Sequence, residues 1–169
     1  MRRTVIRGLL LGLVACGGDA DLAVQTRSGP TSFRARSALF QQRNGSLDGQ
    51  SVQLLAMALY DIPLWCSPTD AGTPPDDFVA ILLEVAKLGT APVGPGDYSI
   101  READGQPVEG ATALYYSFVQ GMPGRTLDVP GGSMHLSNVT DGSVEGDVDL
   151  TLEDGTVLGG SFSATTCRQ

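Results

Sequence analysis

Residues 143–164, SVEGDVDLTLEDGTVLGGSFSA, decide the fold. In 143–152 the even positions Val144, Val148, Leu150 and Leu152 are apolar, while Glu145, Asp147, Asp149 and Thr151 face the other way. This period of two belongs to a strand with one buried face. Asp154-Gly155 then supplies a turn. A two-residue loop would set Phe162 opposite Asp147. A three-residue loop, Glu153-Asp154-Gly155, instead pairs Leu150 with Leu158, Gly146 with Phe162 and Val144 with Ala164. The second register keeps apolar with apolar and puts Gly155 at the left-handed position of a bulged turn. The same loop length at Thr140-Asp141-Gly142 pairs Met134 with Val148 and Leu136 with Gly146, so that Gly146 leaves room beside Phe162 and Leu136 on the core face.

Working outward, Asp48-Gly49, Asp104-Gly105 and Asn44-Gly45 are further hairpin signals. Candidate strands lie at 32–42, 51–62, 78–88, 97–102, 111–119, 132–139, 143–152 and 156–166. Proline and glycine clusters at 67–75, 89–96 and 121–132 fill the longer gaps. Leu114, Tyr116 and Phe118 share a face, as do Tyr98 and Ile100, and Phe33, Ala35 and Leu39. Residues 52–60 are apolar on both faces after Leu54, as expected of a central strand. In 78–88, Phe78, Ile81, Leu82 and Val85 also satisfy a helical period; the segment is read as a strand. The expected fold is all-β, about eight antiparallel strands in one domain over 31–169, first as a β-sandwich and alternatively as a small closed β-barrel.

The composition agrees. A chain of 169 residues suits one domain, and a 41% hydrophobic share is too high for a chain kept disordered by lack of apolar surface. With 11 basic residues against 19 acidic ones, a basic stripe for nucleic acid is not available.

The N-terminus reads as an address. Arg2, Arg3 and Arg7 make a basic start, and the apolar run Gly8–Ala15 is too short to span a bilayer, which takes about 20 residues. It ends in Leu13-Val14-Ala15-Cys16, which resembles the lipobox of bacterial lipoproteins. That resemblance implies removal of the preceding peptide, lipidation of Cys16 and acylation of the new N-terminus. Gly17, where Asp commonly retains such proteins in the inner membrane, implies the outer membrane. Residues 1–16 are therefore the expected signal peptide and lipobox, and 17–30 a tether. Residues 17–169 carry 8 basic and 19 acidic side chains, a net −11, which should keep the domain off an anionic bilayer.

With Cys16 assigned to lipid, Cys66 and Cys167 remain, and an even pair in an exported chain is most simply a disulfide. The order of features also resembles a loose group of uncharacterised bacterial lipoproteins: a lipobox, a cysteine after an early strand, Gly96-Asp97-Tyr98, and a closing Gly-x-Phe-x-Ala…Cys from Gly160 to Cys167. These motifs are turn and strand chemistry and carry no activity.

Catalytic sets are not legible. His135 alternates with Met134 and Leu136, which places it outward with Ser133 and Ser137. There is no G-x-S-x-G, H-E-x-x-H or phosphate-binding loop. Ser46, Ser143 and Ser161 follow glycines in turns or strands and need no special role, and the Asn44 and Asn138 sequons mean little in a bacterial chain. Glu145, Asp147 and Asp149, continued by Glu153 and Asp154, form the single stripe with conceivable cation chemistry, and Ca²⁺ is the ion such oxygens would suit. A flat stripe does not converge, so a solvated face that discourages edge pairing is the expected role. Arg34 and Arg36 make a small exposed basic spot suited to guarding an edge. The expectation is an envelope lipoprotein that binds or builds rather than catalyses, without a cofactor, its protein or small-ligand partner unspecified. The alternative is a barrel carrying a small apolar ligand inside. A hydrolase built from carboxylates ranks last.

Overall fold

The computed structural model describes residues 22–47, 49–63, 77–101 and 110–166. Among these residues the strands are β1 (Gln25–Ser28), β2 (Ser37–Leu47), β3 (Gln50–Tyr60), β4 (Phe78–Leu88) and β5 (Gly96–Arg101). They continue with β6 (Gly110–Val119), β7 (Met122–Asp128), β8 (Gly131–Val139), β9 (Ser143–Thr151) and β10 (Val157–Thr165). Neighbours run β10-β2-β3-β4-β6-β5-β8-β9, and β9 pairs back onto β10, so eight strands close into a barrel. The all-β expectation holds in its barrel form rather than as a sandwich. The physical reason is the use of both edges of β10: β9 takes one along its whole length, and β1 and β2 share the other. Closure leaves that seam without the exposed edge a sandwich must protect. Two contacts, β10 with β2 and β5 with β6, are parallel, so the barrel is not wholly antiparallel.

The hairpin reasoning on 143–164 is borne out residue by residue. Leu150 pairs with Leu158, Gly146 with Phe162, and Val144 with Ala164. Gly155 has φ 82°, the left-handed position of the bulged turn. Met134 pairs with Val148 and Leu136 with Gly146, after which a bulge between Leu136 and Asn138 shifts the register toward the Thr140–Ser143 turn. The reason for Gly146 differs from the expected one. A Cβ there would lie 2.1 Å from the His135 carbonyl oxygen, so glycine is required by the close approach of the β8 backbone rather than by its side-chain neighbours.

Inward positions form one continuous apolar cluster, including Phe40, Leu55, Leu59, Ile81, Leu83, Met134, Leu136, Leu150, Leu158 and Phe162. β4 is a strand along all of 78–88, which settles its two-period pattern in favour of period two: Ile81, Leu83 and Val85 face the core.

Several boundaries move. Asn44-Gly45 lies inside β2, and the β2–β3 ladder runs on to the pair Leu47–Gln50. That choice sets Phe40 opposite Met57 and Ala38 opposite Leu59. A tip at 44–45 would have set the apolar 54–60 against 29–35, a stretch containing Gly29-Pro30. A bend at Arg36 also reverses the phase: Phe33 and Ala35 point into the core with Ala38 and Phe40, whereas Leu39 faces outward. Two strands were unexpected. β7 follows a Gln120-Gly121 turn with both φ values positive (53° and 69°), which suits a hairpin joining twisted strands. Its Pro123 is tolerated because β6 is the partner on one side only.

β1 lies in the stretch expected to be a tether, and this corrects the tether's extent. It pairs with β10, while Thr26 N–H donates to Phe33 O and Ala35 N–H to Val24 O, so residues 22–36 fill the seam between β10 and the start of β2. Burial of Val24, fully enclosed, contributes about 1.5–3 kcal/mol, which offsets the ordering of one or two residues at about 1–2 kcal/mol each. The ladder to β10 and the return bonds supply the remainder.

Candidate functional surface

Cys16, Cys66 and Cys167 lie outside the described residues. The nearest described positions are informative. Ser37 Oγ donates to Ile62 O at 2.7 Å, and Thr165 pairs with Leu39, so Ile62 and Thr165 both lie beside the first residues of β2.

The β5–β8–β9 face is polar. His135 is exposed, as its alternation requires, and Asp97 stands directly opposite it on β5, with Nδ1 to Oδ1 at 2.7 Å. Asp147 is opposite His135 on the other side, and the Ser137 hydroxyl donates to Glu145 O at 3.1 Å. Asp149 pairs with Arg27 from β1 at 3.0 Å, both about half exposed. Glu145, Asp147 and Asp149 thus project side by side along one strand, with Asp149 already held by a cation. Among the described residues no three His, Cys, Asp or Glu side chains converge on a point that would hold an ion. Arg34 and Arg36 are exposed, and Arg36 N–H donates to Tyr60 O.

At the end of the barrel where β9 turns into β10, a polar clasp joins segments distant in sequence. Asp154 Oδ2 accepts from Thr31 Oγ1 at 2.5 Å and from Arg125 Nη2 at 3.1 Å, while Oδ1 accepts from Thr156 N–H at 2.9 Å. Thr31 N–H donates in turn to the fully buried Thr156 hydroxyl at 3.0 Å. Arg125 is placed by Ser117, whose hydroxyl accepts from Arg125 N–H and donates to Arg125 O, repairing the ladder at the β6–β7 bulge. The hydrogen bond from Thr31, then those from Thr156 and the charge of Arg125, hold the Asp154 carboxyl down to about 2. A carboxylate so saturated serves as a tie and not as a proton acceptor. Burial pushes the neighbouring Tyr115 phenol up, with Arg125 opposing and Asp61 and Asp154 adding to the rise. The sequence places Asp154 in the hairpin turn and at the end of the acidic stripe. The Asp154-Gly155-Thr156 turn was the one local signal for the clasp, since Thr31 and Arg125 carry none.

The third surface is apolar. Leu39, Ala58, Leu82 and Leu114 form one outward row across β2, β3, β4 and β6. Beyond it Phe78 stacks on Phe118 with centroids 4.9 Å apart, flanked by Tyr60 at 5.9 Å and Tyr116 at 5.0 Å. Burial raises the Tyr60 phenol, and it raises Glu84, against which Arg43 acts in the opposite sense.

No family model matches this chain, and no curated protein or solved structure does.

Proposed function

We propose that this protein is a lipid-anchored component of the bacterial cell envelope, attached through Cys16 at the outer membrane, whose barrel binds a partner or serves envelope architecture rather than catalysing a reaction. The Leu13-Val14-Ala15-Cys16 stretch after a basic, apolar start carries the reading. Two features of the fold support it. The inward side chains pack against one another as a single apolar cluster, which favours recognition at the surface over carriage of an apolar ligand inside. The polar groups at the ends and on the β8–β9 face are tied to each other: Asp154 to Thr31 and Arg125, His135 to Asp97, Asp149 to Arg27. General base chemistry needs a group poised toward a reacting proton, and the Asp154 and Asp149 carboxylates are spent on cross-strand ties.

A Cys66–Cys167 disulfide belongs to the same reading. The approach of Ile62 and Thr165 to the start of β2 supports it, and it would lock the β10–β2 seam, where Thr165–Leu39 is the one ladder pair among the described residues.

Cell fractionation tests the proposal. Wild type is expected in the outer-membrane fraction and Cys16→Ser in the soluble fraction. Equal distribution of the two would overturn it.

A further inference from the structure

The outer surface of the barrel is divided by chemistry. On β9 the outward residues are Glu145, Asp147 and Asp149, and on β10 they are Ser161, Ser163 and Thr165. On the opposite side, β3, β4 and β6 turn apolar residues outward along most of their length. A strand apolar on both faces belongs beneath a second layer. Tyr60, Phe78, Leu82, Leu114, Tyr116 and Phe118 on this wall are half-buried, while Leu39, Ala58 and Ala80 are buried.

The net negative charge of the chain is not spread over this wall. Arg43 and Glu84 lie on its polar margin and attract one another. Asp61 and Asp77 stand at its end, each accepting a backbone N–H, from Val79 and from Gln120. An anionic surface therefore repels the β8–β9 side and not this one.

The path of the chain selects the occupant. Val24 O accepts from Ala35 N–H, and Arg36 N–H donates to Tyr60 O, so the start of the described chain is separated from Tyr60 only by residues 35–36. Six residues carry the chain from Cys16 to Leu22, at most about 20 Å when fully extended. Acyl chains on Cys16 would hold Leu22 within that distance of the bilayer, and the Tyr60 end of the wall beside it. Tyr beside Phe and Leu is the composition that seats at the boundary of headgroups and acyl chains.

We propose that the wall formed by β3, β4 and β6 rests on the lipid surface, with Tyr60, Phe78, Tyr116 and Phe118 at the headgroup level and the acidic β8–β9 side turned to solvent. This orientation rests on the Cys16 anchor. It replaces the picture of a uniformly anionic domain held away from the membrane.

The test uses the full-length lipidated protein in vesicles of phosphatidylethanolamine and phosphatidylglycerol with brominated acyl chains, with Trp65→Phe removing the native tryptophan. Reporters are Leu114→Trp on the wall, Leu82→Trp as a second wall position should the first disturb folding, and Ser133→Trp on the polar face. The expected result is a blue shift and loss of emission for the wall reporters, with Ser133→Trp unchanged. The N-terminal mass is read on the same sample. An acylated chain whose wall reporters keep their emission overturns the orientation alone, whereas an unacylated chain overturns the anchor reading with it. Equal quenching on both faces also overturns the orientation. So does a wall-reporter shift that depends on protein concentration without vesicles, which would assign the wall to a second copy.

Discussion

Replacing Gly146 by alanine probes the tightest point of the barrel. The added Cβ would stand 2.1 Å from the His135 carbonyl oxygen, 3.1 Å from its carbon and 3.2 Å from Leu136 Cα. All three atoms are backbone, so no rotamer change relieves the overlap. An ordinary carbon–oxygen contact is about 3.3 Å, so β8 and β9 must part by about 1 Å where Leu136 pairs with Gly146. Overpacking of this kind costs about 1–3 kcal/mol, and a clash confined to backbone belongs at the upper end. At about 2–4 °C per kcal/mol for a domain of this size, Tm should fall by about 6–12 °C. Urea and thermal unfolding of Cys16→Ser protein, with and without Gly146→Ala, measure the effect. Two companions calibrate it. Gly142→Ala meets nothing within 4 Å and should stay within about 0.5 kcal/mol of the parent. Gly155→Ala also meets nothing but sits at φ 82°, and should lose about 1–2 kcal/mol through backbone strain alone. A Gly146→Ala protein as stable as Gly142→Ala would refute the β8–β9 approach and the register reasoning built on it.

Other consequences follow from the clasp, the cysteines and the acidic stripe. The Asp154 carboxyl is held below its ordinary 3.8, at about 2, so its contribution to stability is present above 3.8 and is lost as pH falls toward about 2. Stability against pH should therefore be flatter in that window for Asp154→Asn than for wild type, and identical slopes would contradict the clasp. Intact mass before and after reductant should reveal one Cys66–Cys167 bond. Its reduction should lower stability by up to about 4.7 kcal/mol for a loop of roughly a hundred residues. Millimolar calcium should leave Tm unchanged, because Asp149 is engaged by Arg27 and the stripe does not converge; a clear rise would make Glu145, Asp147 and Asp149 a cation site.

The pattern in 143–164 specified its own pairing because a one-residue slip would have set Phe162 against a carboxylate, Asp147 for the two-residue loop, and the side-chain period of two makes such an error total. The same logic reached Met134 and Leu136. It could not reach closure, because the contact that completes the barrel joins Thr165 to Leu39 by a single parallel pair among the described residues, with no periodicity of its own. β1 escaped notice because its residues, QTRS, are polar, and its order comes from Val24 beneath it and β10 beside it. β7 escaped because Pro123 and Gly124 read as loop chemistry until β6 supplies a partner. His135 and the acidic stripe stood where alternation placed them. The clasp could not be foreseen, since Thr31, Arg125 and Asp154 meet only after the barrel has closed. The apolar outer wall is legible as a strand apolar on both faces, the pattern of a central strand. In a barrel the same residues face outward.

The central claim is the lipid on Cys16. Metabolic labelling with a radioactive fatty acid, followed by mass analysis of the N-terminal peptide, tests it most directly. The account predicts label in wild type, none in Cys16→Ser, and a mature chain whose first residue is an acylated Cys16. Label retained by Cys16→Ser, or a wild-type chain that begins elsewhere and carries no acyl group, would contradict it.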